Sequence, residues 1–204
     1  MPVIFVHSVA EAAKLMRSGE MVVYPTETSY GLGVDPSSQV ALKRIFAIKG
    51  RDRSKPLSLI AASLADAKRY VSFSPWSLSL AKKNWPGALT LILPARQKLF
   101  AKRLGSKDGT IAIRVSELRQ ARSLARMVGG VITATSANRS GAIDSYTERA
   151  VFSAFADRAD NVFFLASGSL PRRRPSTILR VHGNLLTVLR QGSVRIAAKY
   201  LIHS

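Results

Sequence analysis

Apolar positions along the chain switch repeatedly between two spacings, every three to four residues and every second residue, as alternating helices and strands require. Residues 3–5 and 21–24 are compact apolar runs of strand length. Between them Ser8 stands where a helix N-cap belongs, and helical spacing over 9–17 ends at Gly19. Ser37 or Ser38 opens a second helix to Lys49, with Val40, Ile45 and Ile48 among its apolar positions. Residues 57–61 read as a buried strand and 63–70 and 75–84 as helices. Strands are predicted at 89–93, 110–115 and 131–135, with a helix over 117–127 that Gly129 and Gly130 terminate. A helix at 147–155, a strand at 162–165 and a closing pair of strands at 177–181 and 185–190 complete the pattern. Gly183-Asn184 between the last two suits a two-residue hairpin turn. Residues 105–109 and 167–175 read as loops. Helical crossovers together with a hairpin predict an α/β fold with a twisted mixed sheet flanked by helices, in one domain over 1–204.

Composition narrows the partners. The 204 residues carry 31 Lys and Arg against 12 Asp and Glu, a formal charge of +19, which draws polyanions such as nucleotides, RNA or an anionic surface. Without cysteine the chain has no thiol chemistry, disulfide or thiolate metal site. Its three histidines, His7, His182 and His203, are far apart, so no zinc site is expected. Glu11 breaks the N-terminal apolar run, and no stretch approaches the roughly 20 apolar residues that span a bilayer. A soluble cytoplasmic protein without membrane contact is the expectation.

Five stretches could carry chemistry. YPTETSYGLG, residues 24–33, follows a strand, where open α/β sheets bind ligands, and its glycines would let backbone approach a ligand; an ordinary glycine turn reads equally well. It is neither a dinucleotide fingerprint nor a P-loop. KGRDRSKPL, residues 49–57, gathers Lys49, Arg51, Arg53 and Lys55. Lys49 alone could serve the helix dipole, but cations leaving a helix together suit an oligophosphate. In TIAIRV, Thr110, Ala112 and Arg114 share one strand face, and an inward Arg114 needs a carboxylate or phosphate partner, or simply a protein acid. TATSAN, residues 133–138, ends a buried strand with small hydroxyl and amide groups that could bind a ligand or only cap a turn. PSTIL, residues 175–179, precedes Arg190 in LRQG, and a plain hairpin explains both.

In this order, with WPGALTLIL between, the stretches resemble the YrdC-like family of threonylcarbamoyl-AMP synthases from about Met21 to Gly192, in the short form with no second domain after LRQG. The resemblance implies a concave basic cleft and an enzyme that makes threonylcarbamoyl-adenylate and pyrophosphate from L-threonine, bicarbonate and ATP. That product serves the modification of adenosine 37 in tRNA through a downstream transferase complex. It further implies Lys49 and Arg51 as catalytic neutralisers of the phosphates, with Lys55 extending the cradle. Thr110, Ser136, Asn138, Ser145 and Arg190 would serve the nucleotide. Thr28, Ser176 and the backbone at Ala134 would contact threonine, with Arg114 on its carboxylate. Magnesium would arrive with ATP, with no dedicated protein site. The chain departs from the family in reading Leu59-Ile60-Ala61 where many members have His, Pro175 where Glu precedes Ser-Thr, and Lys55 where several have Asn. The competing reading is a non-catalytic binder of tRNA or rRNA on the same basic surface. Arg172–Arg174 and the helical series Arg119, Arg122 and Arg126 predict weak, salt-sensitive RNA binding in either case.

Overall fold

The computed structural model describes residues 3–50, 56–138, 144–155, 161–182 and 185–196. The first half runs β1 (Val3–Val6), α1 (Val9–Arg17), β2 (Met21–Pro25), β3 (Tyr30–Gly33), α2 (Gln39–Lys49), β4 (Ser58–Ala61), α3 (Leu64–Lys68) and α4 (Pro75–Asn84). The second runs β5 (Leu89–Pro94), α5 (Lys98–Arg103), β6 (Thr110–Val115), α6 (Arg119–Val128), β7 (Val131–Ser136), α7 (Glu148–Phe155), β8 (Val162–Leu165), β9 (Thr177–His182) and β10 (Leu185–Arg190). Serine side chains start four of the helices. Ser8, Ser38, Ser63 and Ser74 each accept a hydrogen bond from the backbone N–H three residues on, which satisfies a donor the helix itself leaves free. Gly50 ends α2 at φ 54°, a left-handed conformation that glycine adopts without penalty.

The strands pair as one mixed sheet in the order β1-β8-β2-β3-β7-β4-β6-β5-β9-β10. β7 joins its two halves. Ala134 to Val131 pair antiparallel with Ser58 to Ala61 of β4, whereas Ser136 and Thr135 pair with Gly31 and Leu32 of β3. β9 and β10 form the expected antiparallel hairpin, with a register shift between Val188 and Arg190. Its Gly183-Asn184 turn lies outside the described residues.

The two faces of the sheet are covered differently. One packs Leu89, Leu91, Ile111, Ile113, Leu59 and Leu179 into a large core with α2, α3, α4, α5 and α7. The other carries Val22, Tyr24, Ile60 and Ile132 under α1 and α6, which supply Met16, Leu124 and Ala125 among others. Beyond those two helices the second face continues with Ser58, Thr90, Ala112, Arg114, Ala134 and Ser136, which line an open cavity. β6 shows the division within one strand: Ile111, Ile113 and Val115 are buried, while Thr110, Ala112 and Arg114 are only partly so.

Two elements depart from the pattern-based expectation. β3 is a strand where the pattern predicts a glycine turn, because two of its four residues are glycine, which weakens a strand unless something approaches closely. That something is protein. A Cβ on Gly33 would stand 2.3 Å from the Thr133 carbonyl oxygen and 2.8 Å from the ring of buried Tyr24. Gly33 therefore serves packing rather than ligand approach. α5, KLFAKR, is half cationic and hides its helical period; it is anchored through buried Ala101 and half-buried Phe100. Val40, expected on the apolar face of α2, is 70% exposed, and Ala41, Leu42, Ile45, Phe46 and Ile48 make that face instead.

Gly33→Ala should destabilise the protein by about 1–3 kcal/mol, the usual cost of overpacking, because both obstructing groups are held in the sheet. Chemical denaturation would read this as a lower midpoint at unchanged slope. An unchanged midpoint would show that Tyr24 and β7 yield freely.

Candidate functional site

The uncovered part of the second face forms a cavity of about 510 Å3, within the usual range for a small-molecule site. Its walls come from sequence-distant elements: the turn after β2, then β4, β5, β6, β7, β9 and the end of β10.

The turn between β2 and β3 is built by one hydroxyl. Thr26 Oγ1 donates to the Ser29 carbonyl at 2.7 Å and accepts from the N–H groups of Thr28 and Ser29 at 3.3 Å. This fixes Thr28 at the cavity wall, its Oγ1 3.1 Å from that of Thr26. Glu27, between them, turns into the protein, where its side chain is 3% exposed. One carboxylate oxygen accepts a hydrogen bond from Ser116 Oγ. The other lies 3.4 Å from Nε of Arg114, close enough for an ion pair although the N–H is not aligned for a hydrogen bond. The Arg114 guanidinium continues to the cavity, and Nη2 approaches Thr28 Oγ1 at 3.5 Å. Both readings of Arg114 hold geometrically: it has an acidic protein partner, and it lines the cavity.

A second arginine lines the same cavity from the end of β10. Arg190 donates from Nε to the Ser176 carbonyl and from Nη2 to Ser176 Oγ, both at 3.0 Å, and Ser176 Oγ lies 2.9 Å from Thr90 Oγ1. Burial lowers the Arg190 pKa; Asp144 opposes this and the Arg114 charge adds to it. Arginine stays protonated regardless, so both guanidiniums are cations in one cavity. The Pro175-Ser176 segment is clasped from behind. Ser193 donates its N–H to the Pro175 carbonyl and its hydroxyl to that of Arg174, while Thr177 Oγ1 donates to the Val194 carbonyl and accepts from the Gly192 N–H. Gly192 sits so close that a Cβ there would be 2.1 Å from the Pro175 carbonyl oxygen.

At the mouth, Asp108 accepts from Thr110 Oγ1 at 2.6 Å and pairs with Arg180. The hydrogen bond from Thr110 and the charge of Arg180 hold its carboxyl well below the usual carboxylate range, against the opposing effect of burial.

The cavity thus brings together Thr28, Thr110, Arg114, Ala134, Ser136, Ser176 and Arg190 from the residues singled out in the sequence. Lys49, Asn138 and Ser145 stand behind its wall. Lys49 is 3% exposed, and its ammonium donates to the Ser136 carbonyl at 2.7 Å, to Asn138 Oδ1 at 2.8 Å and to the Asn138 carbonyl. Ser136 Oγ closes the same loop onto Asn138 Oδ1 at 2.6 Å. Ser145 Oγ donates to the Ala137 carbonyl at 2.6 Å. Arg51 and Lys55 lie outside the described residues. Sequence reasoning did not single out Glu27, Ser58, Thr90, Asp108, Asp144 or Arg180. Thr90 and Arg180 had a legible signal, since each alternates with buried leucines or valines on its strand. Among the described residues no cluster of three metal-binding side chains occurs, and no helix is long and apolar enough to cross a membrane.

A family model described as Sua5/YciO/YrdC, telomere recombination, matches residues 14–192. The chain belongs to the Sua5/YciO/YrdC family. A relative from Thiobacillus denitrificans named threonylcarbamoyl-AMP synthase is 36% identical over 80% of this chain and 86% of its own length. One of the same name from Vibrio vulnificus (strain YJ016) is 34% identical over 92% of this chain and all of its own. Among solved structures, P. abyssi Sua5 complexed with L-threonine superposes with a TM-score of 0.83 at 30% identity, over 94% of this chain and 58% of that one. This Sua5/YciO/YrdC chain therefore spans a little under three fifths of the P. abyssi protein's length.

Lys49→Met keeps the aliphatic stem and removes the ammonium, leaving loop acceptors at Ser136 and Asn138 short of a donor. The expected loss is about 1–3 kcal/mol of stability, read by denaturant titration, together with faster amide exchange at 136–138. Wild-type exchange there would show that Lys49 does not hold the loop.

Proposed function

We propose that the protein is a threonylcarbamoyl-AMP synthase, forming threonylcarbamoyl-adenylate and pyrophosphate from L-threonine, bicarbonate and ATP. The observation that carries this reading is the cavity itself: Arg114 and Arg190 facing one space among hydroxyls, in a chain similar to relatives of that name. The threonine amine adds to bicarbonate and water leaves, giving a carbamate. A carbamate oxygen then attacks the α-phosphorus of ATP, and the P–O bond to pyrophosphate breaks. Such a reaction needs positioned reactants and stabilised charge rather than a covalent enzyme intermediate.

In this reading Arg114 takes the threonine carboxylate, with Thr28, Ser176 and the Ala134 backbone around the amino acid. Arg114 suits this because a guanidinium matches a carboxylate with two parallel donors. Thr110, Ser136 and Arg190 serve the nucleotide, and Ser145 supports them from behind the wall through the Ala137 carbonyl. Arg51 and Lys55 meet the triphosphate, and magnesium comes with ATP as part of the substrate. Lys49 adds its charge from behind the loop it braces, with Asn138 shaping that loop. The cleft is basic, the setting cytoplasmic, and the labile product passes to a transferase complex that modifies adenosine 37 of tRNA. Exposed Arg119 and Arg126, with Arg172–Arg174, favour weak tRNA contact as a second property of the same protein.

Pyrophosphate release with threonine and bicarbonate each omitted in turn tests the reading. Release should need both; release from ATP alone, or none with all three present, would overturn it. Arg114→Ala should raise the threonine KM far more than the ATP KM, and Arg114→Lys should rescue only in part because a point charge lacks the paired donors. Arg51→Ala should lower kcat/KM by a factor that corresponds to about 2–4 kcal/mol of lost transition-state stabilisation, the usual loss for one such charge contact. A folded Arg51→Ala protein with normal turnover would remove residues 49–57 from phosphate binding.

A further inference from the structure

Arg114 and Arg190 line one cavity. A guanidinium facing a cavity is a natural partner for a phosphate or pyrophosphate group, and this enzyme works among polyphosphates. A triphosphate or released pyrophosphate seated against Arg114 would exclude threonine. The arrangement contains a counterweight. Glu27 is 7% exposed, does not line the cavity, and is held by Ser116 Oγ with its second oxygen 3.4 Å from Arg114 Nε. It therefore touches no ligand, yet it offsets the Arg114 charge from behind.

We propose that Glu27 is a specificity-determining residue that makes the Arg114 end of the cavity accept the single carboxylate of an amino acid and reject polyphosphate. The inference rests on the reading of Arg114 as the threonine end. Its physical basis is that a fixed negative charge repels each bound anion in proportion to that anion's own charge. Pyrophosphate, with about three negative charges near neutral pH, meets roughly three times the repulsion felt by one carboxylate, and the threonine ammonium offsets part of even that. Glu27 thus sacrifices some attraction for threonine and removes far more for the competitor, as specificity by repulsion requires.

The test is the inhibition pattern of sodium pyrophosphate against each substrate separately. For the wild type, pyrophosphate should compete with ATP but not with L-threonine. Glu27→Gln, which keeps the side-chain shape without the charge, should gain competition against threonine, with an inhibition constant in that direction at least about tenfold lower than wild type. Glu27→Ala removes the same charge and leaves room for water between Ser116 and Arg114, so it serves as a second variant should the first not fold. Glu27→Asp, which retains the charge, should keep the wild-type pattern. Adding Arg114→Gln to either charge-removing variant should abolish the gained competition, a result that mere loosening of the fold would not give. Absence of new threonine competition in a folded Glu27→Gln or Glu27→Ala protein, with Arg114→Gln still raising the threonine KM, would overturn the proposal alone. A threonine KM indifferent to Arg114→Gln would overturn it through the reading beneath.

Discussion

The site exists because α1 and α6 cover only part of one sheet face. Every strand that crosses from the covered to the open region changes composition at the boundary without changing its alternation. β4 presents Ile60 under the helices and Ser58 to the cavity; β7 presents Ile132 and then Ala134 and Ser136. On the opposite face β4 buries Leu59 and Ala61, and β7 buries Val131 together with Thr133, whose hydroxyl accepts from the Val34 N–H. Stability comes from continuous burial on one side, at about 25 cal/mol per Å2 of apolar surface removed from water, and that leaves part of the other side available for polar groups. Fold and function are thus divided by strand parity rather than by segment.

Within the open region, charge is ordered by depth. The Glu27 carboxylate is enclosed, the Arg114 side chain is 12% exposed, and Arg180 and Asp108 meet at the mouth. Enclosing a carboxylate and a guanidinium together costs desolvation that their attraction need not fully repay. The pair is tolerable because Ser116 satisfies the second oxygen and the far side of the guanidinium opens to the cavity. A similar economy appears behind the wall, where one ammonium, that of Lys49, holds backbone and side-chain oxygens of the 136–138 loop. A cation at the end of α2 was legible in the sequence as a phosphate ligand or as a helix-dipole partner, but not as a brace. Its partners lie 87 and 89 residues away, and no local pattern encodes them.

That distinction marks what sequence could and could not reveal. Alternation and hydroxyl caps are local, so β6, α1 and α4 were legible to the residue, and the face shared by Thr110, Ala112 and Arg114 followed from parity alone. β3 was not, since a strand of YGLG makes sense only once the Tyr24 ring and the Thr133 carbonyl lie against it. α5 escaped because its cations mask a short apolar contact. Within the cavity, Arg114 and Ser176 were legible from their motifs. Their immediate partners Glu27 and Thr90 were not, because pairing across 86 or 87 positions depends on the sheet order.

The clasp behind Ser176 also bears on how this chain tolerates editing. Residues 192–194 contribute nothing to the cavity surface, yet they hold the backbone of 174–177 through Gly192, Ser193 and Val194. A fusion junction or a trimmed end placed just after β10 would look harmless by every criterion of exposure and secondary structure. It would nevertheless release the segment that presents Ser176 and anchors Arg190. For anyone grafting this fold into a larger assembly, the boundary of the working unit lies beyond the last strand, at or after Val194.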